Sequence, residues 1–596
     1  MQIRYTVRAA VPAEHLGRFT LELGGVAGPT VDLVLPSWVP GSYHILPYQR
    51  PVGPFSARGS PDGPALRVER IDKGRWRIHT GGASSLRVDY EVYGHDLVTE
   101  GFDLTPEHLF VNAALCLPYV DGHQNATHEV VIDAPAPWRV VTELPAVGAE
   151  TRTFRAASYE ELADSPIDVG SPVVLTIRPH GIPHRISLCG DGGNYDAQKV
   201  AADLTKIVDA TIDLLGASPL SSYTFFYHLN DRSDGGLEHA TSNSCVIPRT
   251  TFVPDKDYKW FLGLTSHEYF HLYNVKRIRP KAFQPFDLTQ EVYTRLLWWM
   301  EGTTDYFSDL VLRRAGLYTP KEYLANSAEL IQRYLETPGR LRSSLEDASY
   351  LTWVDFYQPY EETLNRTVSY YLKGNLVSLC LDLELRHRTE NRTSLETVLR
   401  TLWSEFGATG RGVEEDGIRA VSEQVSGLDL APFFDRYVRG TEEIDFDAFA
   451  RYAGLAFGPR AKPADDDSPV AGYLGVRAEE SDGLARLRVV LAGSPARAAG
   501  LTPGDEIVAI NGTRVTFTNF EKTFARYPPG TPIALTVFRR GLLREVGVTT
   551  GLPPPEKYEF RPVEAPTELA KSVFATWIGV PWEPEKPGAT ATPAAV

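Results

Sequence analysis

The spacing of apolar residues changes along the chain, and this change constrains the fold more than any other feature. Up to about residue 170, segments such as RYTVRAA and LRVDYEVYG alternate polar and apolar residues between turns, which is the pattern of half-buried β-strands. From about residue 195 the period becomes helical, and short strands with Gly turns return beyond about residue 470. The sequence therefore predicts a multidomain α+β protein.

The length of the chain requires several separate cores, because 596 residues are too many for one. We expect a β-rich, sandwich-like N-terminal domain and a central domain with a mainly helical second half. A strand-rich domain should follow, and then a C-terminal helix (567–579) with a disordered tail. The expected limits are 1–170, 171–458 (helical part about 315–458), 467–552 and 553–596.

Composition narrows the classes of partner. The net charge of −16 argues against nucleic acid, because phosphate binding needs a cationic face. No stretch approaches the roughly 18 to 20 apolar residues of a membrane span, and the first residues have no apolar signal core. The four cysteines lie far apart without a C-x-x-C pair, as expected of buried thiols. We expect a cytoplasmic protein without membrane or nucleic-acid partners.

The segment HEYFH has the H-E-x-x-H spacing. On a helix, His267 and His271 project from one face, so that both imidazoles can reach one metal ion. Glu268, beside the first histidine, can then direct its carboxylate at a water molecule on that ion. The surrounding residues predict a helix that Pro280 closes, with Gly263 as its one interior breaker. The alternative is a surface helix that carries these residues by chance.

A catalytic zinc needs a third protein ligand and an open position for water. The best candidate is Glu301 on the next predicted helix, in WWMEGTTDYF. Gly302 removes a side chain where two helices must approach closely, and Asp305, one turn on, could orient a ligating imidazole. Glu291 is the competing ligand, but it has no comparable carboxylate one turn on.

Two further stretches, SDGGLEHATSNS and SYYLKGNL, complete a resemblance. H-E-x-x-H with a downstream E-G, and a carboxylate four residues later, resembles the gluzincin metallopeptidases of the thermolysin clan. GGLEH resembles the G-x-M-E-N exopeptidase motif of the large zinc aminopeptidases, although Leu237 and His239 replace its Met and Asn, and YLKG resembles their Tyr-x-Lys-Gly. With PSWVPGSY and HEYFHLYNVKRIRP, the chain is most similar to the glycyl aminopeptidase family, whose members carry a C-terminal PDZ domain.

The resemblance implies a thermolysin-like catalytic domain that hydrolyses the N-terminal bond of short peptides, with preference for Gly or Ala. It also implies one zinc ion per chain, held by His267, His271 and Glu301. Glu268 would be the general base in the attack of zinc-bound water on the scissile carbonyl.

Two further roles follow from the same resemblance. Tyr371 would donate its phenol hydrogen to the oxyanion, and its neighbour Tyr370, about 100° away around a helix, could not fill this role at the same time. Glu238, which follows Gly235 and Gly236, would pair with the α-ammonium of the substrate. That contact would fix the N-terminus next to the metal, so that only peptides with a free N-terminus are cut at their first bond.

The segments GYLGV (472–476) and SPARAAGLTPGDEIVAINGTRV (494–515) resemble a PDZ domain of the bacterial, protease-associated kind. Such a domain would add the extended tail of a peptide to a sheet edge. Backbone amides around Leu474, Gly475 and Val476 would receive the terminal carboxylate. A packing spacer is the alternative role.

Two other functions remain possible for the whole chain. One is an endopeptidase that recruits protein tails through the PDZ domain, against which Glu238 argues. The other is a zinc-free, non-catalytic PDZ scaffold, against which the retention of Glu268 and of all three candidate ligands argues.

Overall fold

The computed structural model describes residues 1–148, 152–461 and 470–582. The chain divides into two compact units, and both are built from more than one stretch of sequence. The first unit comprises Met1–Thr294, Phe307–Leu317 and Leu399–Glu415. The second unit comprises Arg295–Tyr306, Tyr318–Val398 and Asp416–Val596.

In its described residues the first unit begins with fifteen strands in three sheets, in the orders β14-β12-β1-β2-β8-β4-β5, β13-β15-β10-β9 and β11-β3-β7-β6. Strand β1 buries Ile3, Tyr5 and Val7, while Arg4 is exposed and Thr6 is half-buried, so the alternating pattern marks the core. The strands are β1 (Gln2–Val11), β2 (Leu16–Gly24), β3 (Thr30–Val34), β4 (Ser56–Arg58), β5 (Ala65–Leu66), β6 (Val68–Arg70), β7 (Arg75–His79), β8 (Ser85–Tyr93), β9 (Phe102–Leu104), β10 (Leu109–Val111), β11 (Tyr119–Val120), β12 (His128–Asp133), β13 (Arg139–Val141), β14 (Thr153–Ala156) and β15 (Ile167–Gly170). Two short helices, α1 (Ala113–Cys116) and α2 (Tyr159–Ala163), interrupt them.

A five-stranded sheet follows in the same unit. Its order is β16-β17-β18-β20-β19, and β19 is an antiparallel edge strand. The apolar segment YTFFYHLN forms β18 in the middle of this sheet, where its side chains are buried. The strands are β16 (Val173–Ile177), β17 (His184–Cys189), β18 (Tyr223–Asn230), β19 (Gly235–Glu238) and β20 (Ser242–Pro248). The helices α3 (Ala197–Leu215) and α4 (Asp255–Phe270) pack together beside it.

Helix α4 is shorter than the sequence predicts, because it ends at Phe270 and not near Pro280. Val275 has a φ of 88°, a left-handed conformation that a helix does not accommodate. The chain reverses there, and the backbone N–H of Val275 donates to the carbonyl of Ile278 at 3.0 Å. The guanidinium of Arg277 then donates to the carbonyl of Leu272 at 2.7 Å, in the turn that follows the helix.

The second unit is mainly helical in its first part. Its helices surround the buried helix α9, and a π-helical turn, Trp298–Thr303, precedes α5. The helices that follow the turn are α5 (Thr304–Arg314), which runs on into the first unit, α6 (Pro320–Leu335), α7 (Leu345–Tyr350), α8 (Thr363–Arg366), α9 (Tyr370–Arg388), α10 (Leu395–Leu402), whose last residues also belong to the first unit, α11 (Gly417–Ser426), α12 (Ala431–Tyr437) and α13 (Phe446–Arg451).

The same unit ends with the PDZ fold. Its strands pair in the order β22-β23-β24-β26-β27, and β25 pairs with β24. Asn365 joins this fold to the helices, because its side chain donates to the carbonyl of Val490 at 2.9 Å and accepts from the N–H of Ala492 at 2.7 Å. The elements are β22 (Val476–Ser481), β23 (Leu484–Val490), α14 (Pro495–Ala498), β24 (Glu506–Ile510), β25 (Thr513–Arg514), α15 (Phe517–Phe524), β26 (Pro532–Arg539) and β27 (Leu542–Thr549).

The C-terminal segment returns to the helical part. Strand β21 (Leu455–Pro459) pairs with β28 (Tyr558–Pro562), and α16 (Glu568–Ile578) follows. Trp577 of α16 is buried with its ring edge against Tyr323, so the predicted C-terminal helix is confirmed. The predicted disordered tail, from residue 583, lies outside the described residues.

The predicted fold class is confirmed: a β-rich N-terminal region, a central region with a helical part, and a C-terminal PDZ fold. All four cysteines are free thiols, three of them buried, and Cys189 is half-buried. Among the described residues, the helices are too short or too polar for any of them to span a bilayer.

Candidate active site

The two histidines of the H-E-x-x-H segment converge at the end of α4. The Nε2 atoms of His267 and His271 are 2.8 Å apart. Nδ1 of His271 lies 2.9 Å from the carbonyl oxygen of Asn274, and because a carbonyl can only accept, Nδ1 carries the proton. Nε2 of His271 therefore presents a lone pair toward His267, as a metal ligand must.

Glu268 lies beneath the edge strand β19. Its side chain is buried, and the backbone of Gly236 passes directly over its carboxylate. A Cβ on Gly236 would overlap with Oε1 and Cδ of Glu268, so that any side chain there would displace the carboxylate. Gly235, with a φ of 87°, sets the chain into this close approach.

Glu238 ends the same strand and is also buried, with 4% of its surface exposed. Each of Glu238, Glu268 and His271 offers a ligand atom within 4.8 Å of the others. The structure thus brings the GGLEH and HEYFH segments into one buried cluster within the first unit.

A third segment of the sequence reaches this cluster. Gly41, in PSWVPGSY, has a φ of 107°, and a Cβ on it would lie 2.5 Å from Oε2 of Glu238. The next residue, Ser42, donates its hydroxyl to Oε1 of Glu100. Burial raises the pKa of Glu100, and Ser42 partly opposes this effect. Gly41, Ser42 and Glu100 were not among the predicted site residues, although the PGSY motif was the signal that could have identified two of them.

An ionic cluster around Asp164 fixes the residues that follow Glu238 in the chain. Asp164 accepts from Nζ of Lys276 at 2.6 Å, from the N–H of Ala240 at 2.8 Å and lies 3.2 Å from Nδ1 of His239. Burial alone would raise the pKa of Asp164, but Lys276 and His239 outweigh it and hold this pKa well below its ordinary value. The cluster ties the end of β19 to the chain that follows α4.

The candidate third ligand, Glu301, belongs to the second unit. It is buried within the π-helical turn, whereas Glu291 is exposed in a stretch without helix. A Cβ on Gly302 would lie 2.5 Å from Cα of Gly374 in α9, so the predicted close approach of two helices at Gly302 is present. Asp305 is partly buried one turn further along.

The two candidate tyrosines begin helix α9. Tyr370 is fully buried, and its hydroxyl accepts from Oγ1 of Thr352 at 3.0 Å. Burial raises the pKa of Tyr370 well above its ordinary value. Tyr371 is half-buried, and its ring stacks on Phe356 at 5.4 Å between centroids. Tyr370 is therefore part of the core, while part of the Tyr371 side chain is exposed.

The PDZ loop leads into the edge strand β22. The carbonyls of Leu474 and Gly475 accept from the N–H groups of Ala496 and Leu491, at 3.0 and 2.9 Å. Strand β22 pairs with β23 on one side, and helix α15 packs beside both strands. This is the strand-and-helix arrangement at which PDZ domains add a peptide strand.

Comparison with known families agrees with this organisation. The model of the M61 glycyl aminopeptidase matches residues 260–377, and that of the peptidase M61 N-terminal domain matches residues 4–171. A PDZ domain model matches residues 486–537. No curated protein matches the chain.

Among solved structures, the chain is similar to an aminopeptidase N family protein from Idiomarina loihiensis. The two are 30% identical with a TM-score of 0.89, over 97% of this chain and 100% of that one. An M1 zinc metallopeptidase from Deinococcus radiodurans is 14% identical with a TM-score of 0.46, over 74% of this chain and 94% of that one, a likeness too low to carry an argument. From the family models and the first structure, the chain belongs to the M61 glycyl aminopeptidase family with a C-terminal PDZ domain, and it is a peptidase.

Proposed function

We propose that the chain is a zinc-dependent aminopeptidase that removes the first residue of short peptides and prefers Gly or Ala there. The observation that carries this proposal is the buried cluster of Glu238, Glu268 and His271. A carboxylate that can bind an α-ammonium lies there beside a carboxylate that can move protons. The preference for Gly follows the description of the glycyl aminopeptidase family.

The donor set at the end of α4 fits zinc. Two imidazole nitrogens face each other, and a buried carboxylate, Glu301, completes the set in our proposal, with Asp305 orienting a ligating imidazole. We propose one such ion per chain. Zinc, when bound by His267, His271 and Glu301, supplies a Lewis acid that activates water and polarises the scissile carbonyl.

Glu268 acts as the general base in this proposal. It takes a proton from the attacking water and delivers it to the nitrogen of the leaving amine. Burial of its carboxylate under Gly236 keeps bulk water away, so the proton stays between the carboxylate and the reacting atoms. Tyr371 donates a hydrogen bond to the oxyanion that forms at the former carbonyl.

The edge strand β19 binds the substrate in this proposal. One side of β19 pairs with β20, and the other side is the edge of the sheet. An extended peptide can add to that edge along Gly235 and Gly236 and place its α-ammonium on Glu238. With the amine held there, the first peptide bond lies nearest to Glu268.

The PDZ fold offers a second place for a peptide. We propose that β22 and the loop at Leu474, Gly475 and Val476 receive the C-terminal tail of a peptide. Titration of free and amidated C-terminal peptides against the full chain tests this role. Binding of the free form alone supports it, and binding of neither form leaves the fold as a packing spacer.

One pair of peptides tests the main proposal. Two Ala- and Gly-rich peptides, identical except that one is N-acetylated, are incubated with the zinc-loaded chain, and the products are weighed by mass spectrometry. Loss of single residues from the free peptide alone supports the aminopeptidase. Internal cuts in both would make the chain an endopeptidase and remove Glu238 from substrate binding.

A non-catalytic scaffold is the remaining alternative. It predicts no zinc at His267, His271 and Glu301 and no cleavage of either peptide, with binding at the PDZ fold retained. We propose that the domains of this enzyme span residues 1–170, 171–458, 467–552 and 553–596.

A further inference from the structure

A second cluster of buried metal-ligand residues lies in the first unit, on strands other than those of the candidate active site. His108 precedes β10, Asp168 is in β15 and His228 is in β18, and their ligand atoms all lie within 4.8 Å of one another. Nε2 of His108 is 2.5 Å from Oδ1 of Asp168, and Nε2 of His228 is 3.3 Å from the same oxygen. All three side chains are buried.

The arrangement around these residues matches that of a metal site. Nδ1 of His108, the nitrogen that faces away from Asp168, lies 3.6 Å from Oδ2 of the buried Asp103. A carboxylate at the far nitrogen of a histidine orients the ring and raises its basicity, as is typical around metal-bound histidines. Cys189, on β17, lies beside His108 and offers a sulfur donor nearby.

Asp168 has more acceptor capacity than the protein uses. Its Oδ2 atom is buried and has no hydrogen-bond partner among the described residues, and the same holds for Nδ1 of His228. A buried carboxylate oxygen without a partner is costly unless a cation compensates it. An ion bound to this carboxylate removes that cost.

The spacing of the donors is close to that required. In tetrahedral zinc sites the metal–ligand bonds of about 2.0 to 2.2 Å put the donors roughly 3.3 Å apart. His228 already lies at 3.3 Å from Oδ1 of Asp168, and His108 has to retreat by less than about 1 Å. The donor atoms of the His267–His271 pair are similarly close, at 2.8 Å.

We propose that His108, Asp168 and His228 bind a second divalent ion, best matched by zinc, with a structural role. The ligands come from β15 and the turn before β10 of the N-terminal sheets and from β18 of the five-stranded sheet. One ion would therefore crosslink these sheets inside the first unit. Its uptake displaces the proton that His108 shares with Asp168, and this proton goes to solvent.

Zinc counting with the full chain tests the proposal. The chain is stripped with a chelator, reloaded with zinc chloride, desalted and measured by plasma mass spectrometry. We expect about two ions in the unaltered chain and about one in the His267→Ala/His271→Ala variant. We expect about one in His228→Ala, and addition of His228→Ala to the double variant should leave none. His128→Ala is the matched control, because His128 is a buried histidine of the N-terminal sheets outside the cluster, and its zinc content should not change.

An isosteric variant covers the case in which His228→Ala does not fold. Asp168→Asn keeps the volume of the side chain and removes its charge, and it should lose the same ion. The proposal is overturned if the His267→Ala/His271→Ala variant binds no zinc. It is also overturned if Asp168→Asn keeps all the zinc of the unaltered chain. A failure of the catalytic site leaves a different result, namely one ion that the His267→Ala/His271→Ala substitutions do not remove.

Discussion

Gly41 and Glu238, far apart in the chain, are in direct contact in the first unit. A Cβ on Gly41 would lie 2.5 and 2.7 Å from the two carboxylate oxygens of Glu238. The backbone at Gly41 thus forms one wall of the cavity in which we propose that the substrate amine is held. Any side chain at residue 41 would displace the carboxylate.

Gly41→Ala should therefore raise the KM for peptides with a free N-terminus by about tenfold or more, since a charge-assisted hydrogen bond contributes roughly 1.5 to 3 kcal/mol. Gly28→Ala is the matched control, because Gly28 also has a positive φ, 91°, but no atom within 4 Å of its would-be Cβ. Steady-state kinetics on both variants separate lost binding from backbone strain. Equal KM values for Gly41→Ala and Gly28→Ala would contradict the role of Gly41.

Glu268→Gln should keep its zinc and lose on the order of a hundredfold or more in kcat, because an amide cannot accept the proton of the attacking water. Zinc content and turnover are measured on the same preparation. Glu268→Asp, which keeps the carboxylate but shortens the side chain, should retain part of the activity. Near-normal turnover in the Gln variant rules out the general-base role.

Tyr371→Phe should lower kcat by about a hundredfold or more, because an oxyanion donor is removed. Tyr370→Phe is the comparison, since its hydroxyl bonds to Thr352 in the core and its loss should cost about 1 kcal/mol of stability with kcat preserved. Kinetics and thermal unfolding are recorded for both variants. A loss of kcat in Tyr370→Phe with kcat preserved in Tyr371→Phe would assign the oxyanion contact to Tyr370.

Glu301→Gln should reduce zinc affinity at the H-E-x-x-H site, since a neutral amide is a poorer ligand than a carboxylate. The matched variant is Glu291→Gln, whose side chain is exposed, and it should bind zinc like the unaltered chain. Competition with a chelator gives the two affinities. If Glu291→Gln lost zinc and Glu301→Gln kept it, Glu291 would be the third zinc ligand in place of Glu301.

Asp164→Asn should destabilise the chain at neutral pH by about 3 to 5 kcal/mol, because Lys276 is left buried without its charge partner. The pKa of Asp164 is lowered in the folded state, so its contribution is full above the unfolded value of about 3.9 and is lost as pH falls below it. The difference in Tm between the unaltered chain and the variant should therefore stay constant from pH 7 to about pH 4 and shrink as the pH falls below that value.

The double variant Asp164→Asn/Lys276→Met provides the control for this pair. Because it removes both buried charges, it should be less destabilised at pH 7 than Asp164→Asn alone. A constant difference in Tm across the pH range would mean that Asp164 stabilises the chain by packing and not by its charge.

The sequence predicted well wherever local spacing determines the structure. The alternation around Ile3, Tyr5 and Val7 predicted a strand, and the segment of α16 predicted a packed helix. The fold class and the family followed from motifs of adjacent residues, such as HEYFH and GGLEH.

The sequence predictions were wrong or missing where the structure depends on contacts between segments that are distant in the chain. Beyond α4 the chain turns at Val275, and Arg277 bonds to the carbonyl of Leu272 in that turn; helical spacing does not reveal either. The contact of Gly41 with Glu238, and the cluster at Asp168, depend on which strands become neighbours. No local pattern in one sequence encodes those pairings.

The strand that carries Gly235 and Gly236 limits which features of a peptide substrate the enzyme can recognise. Two glycines offer a bound peptide backbone groups only, and every peptide has the same backbone. In our proposal the remaining contact, at Glu238, recognises a charge that occurs once per chain. Such an enzyme would recognise the N-terminus of a peptide and have little selectivity for the side chains that follow. This property suits the clearance of mixed peptide fragments.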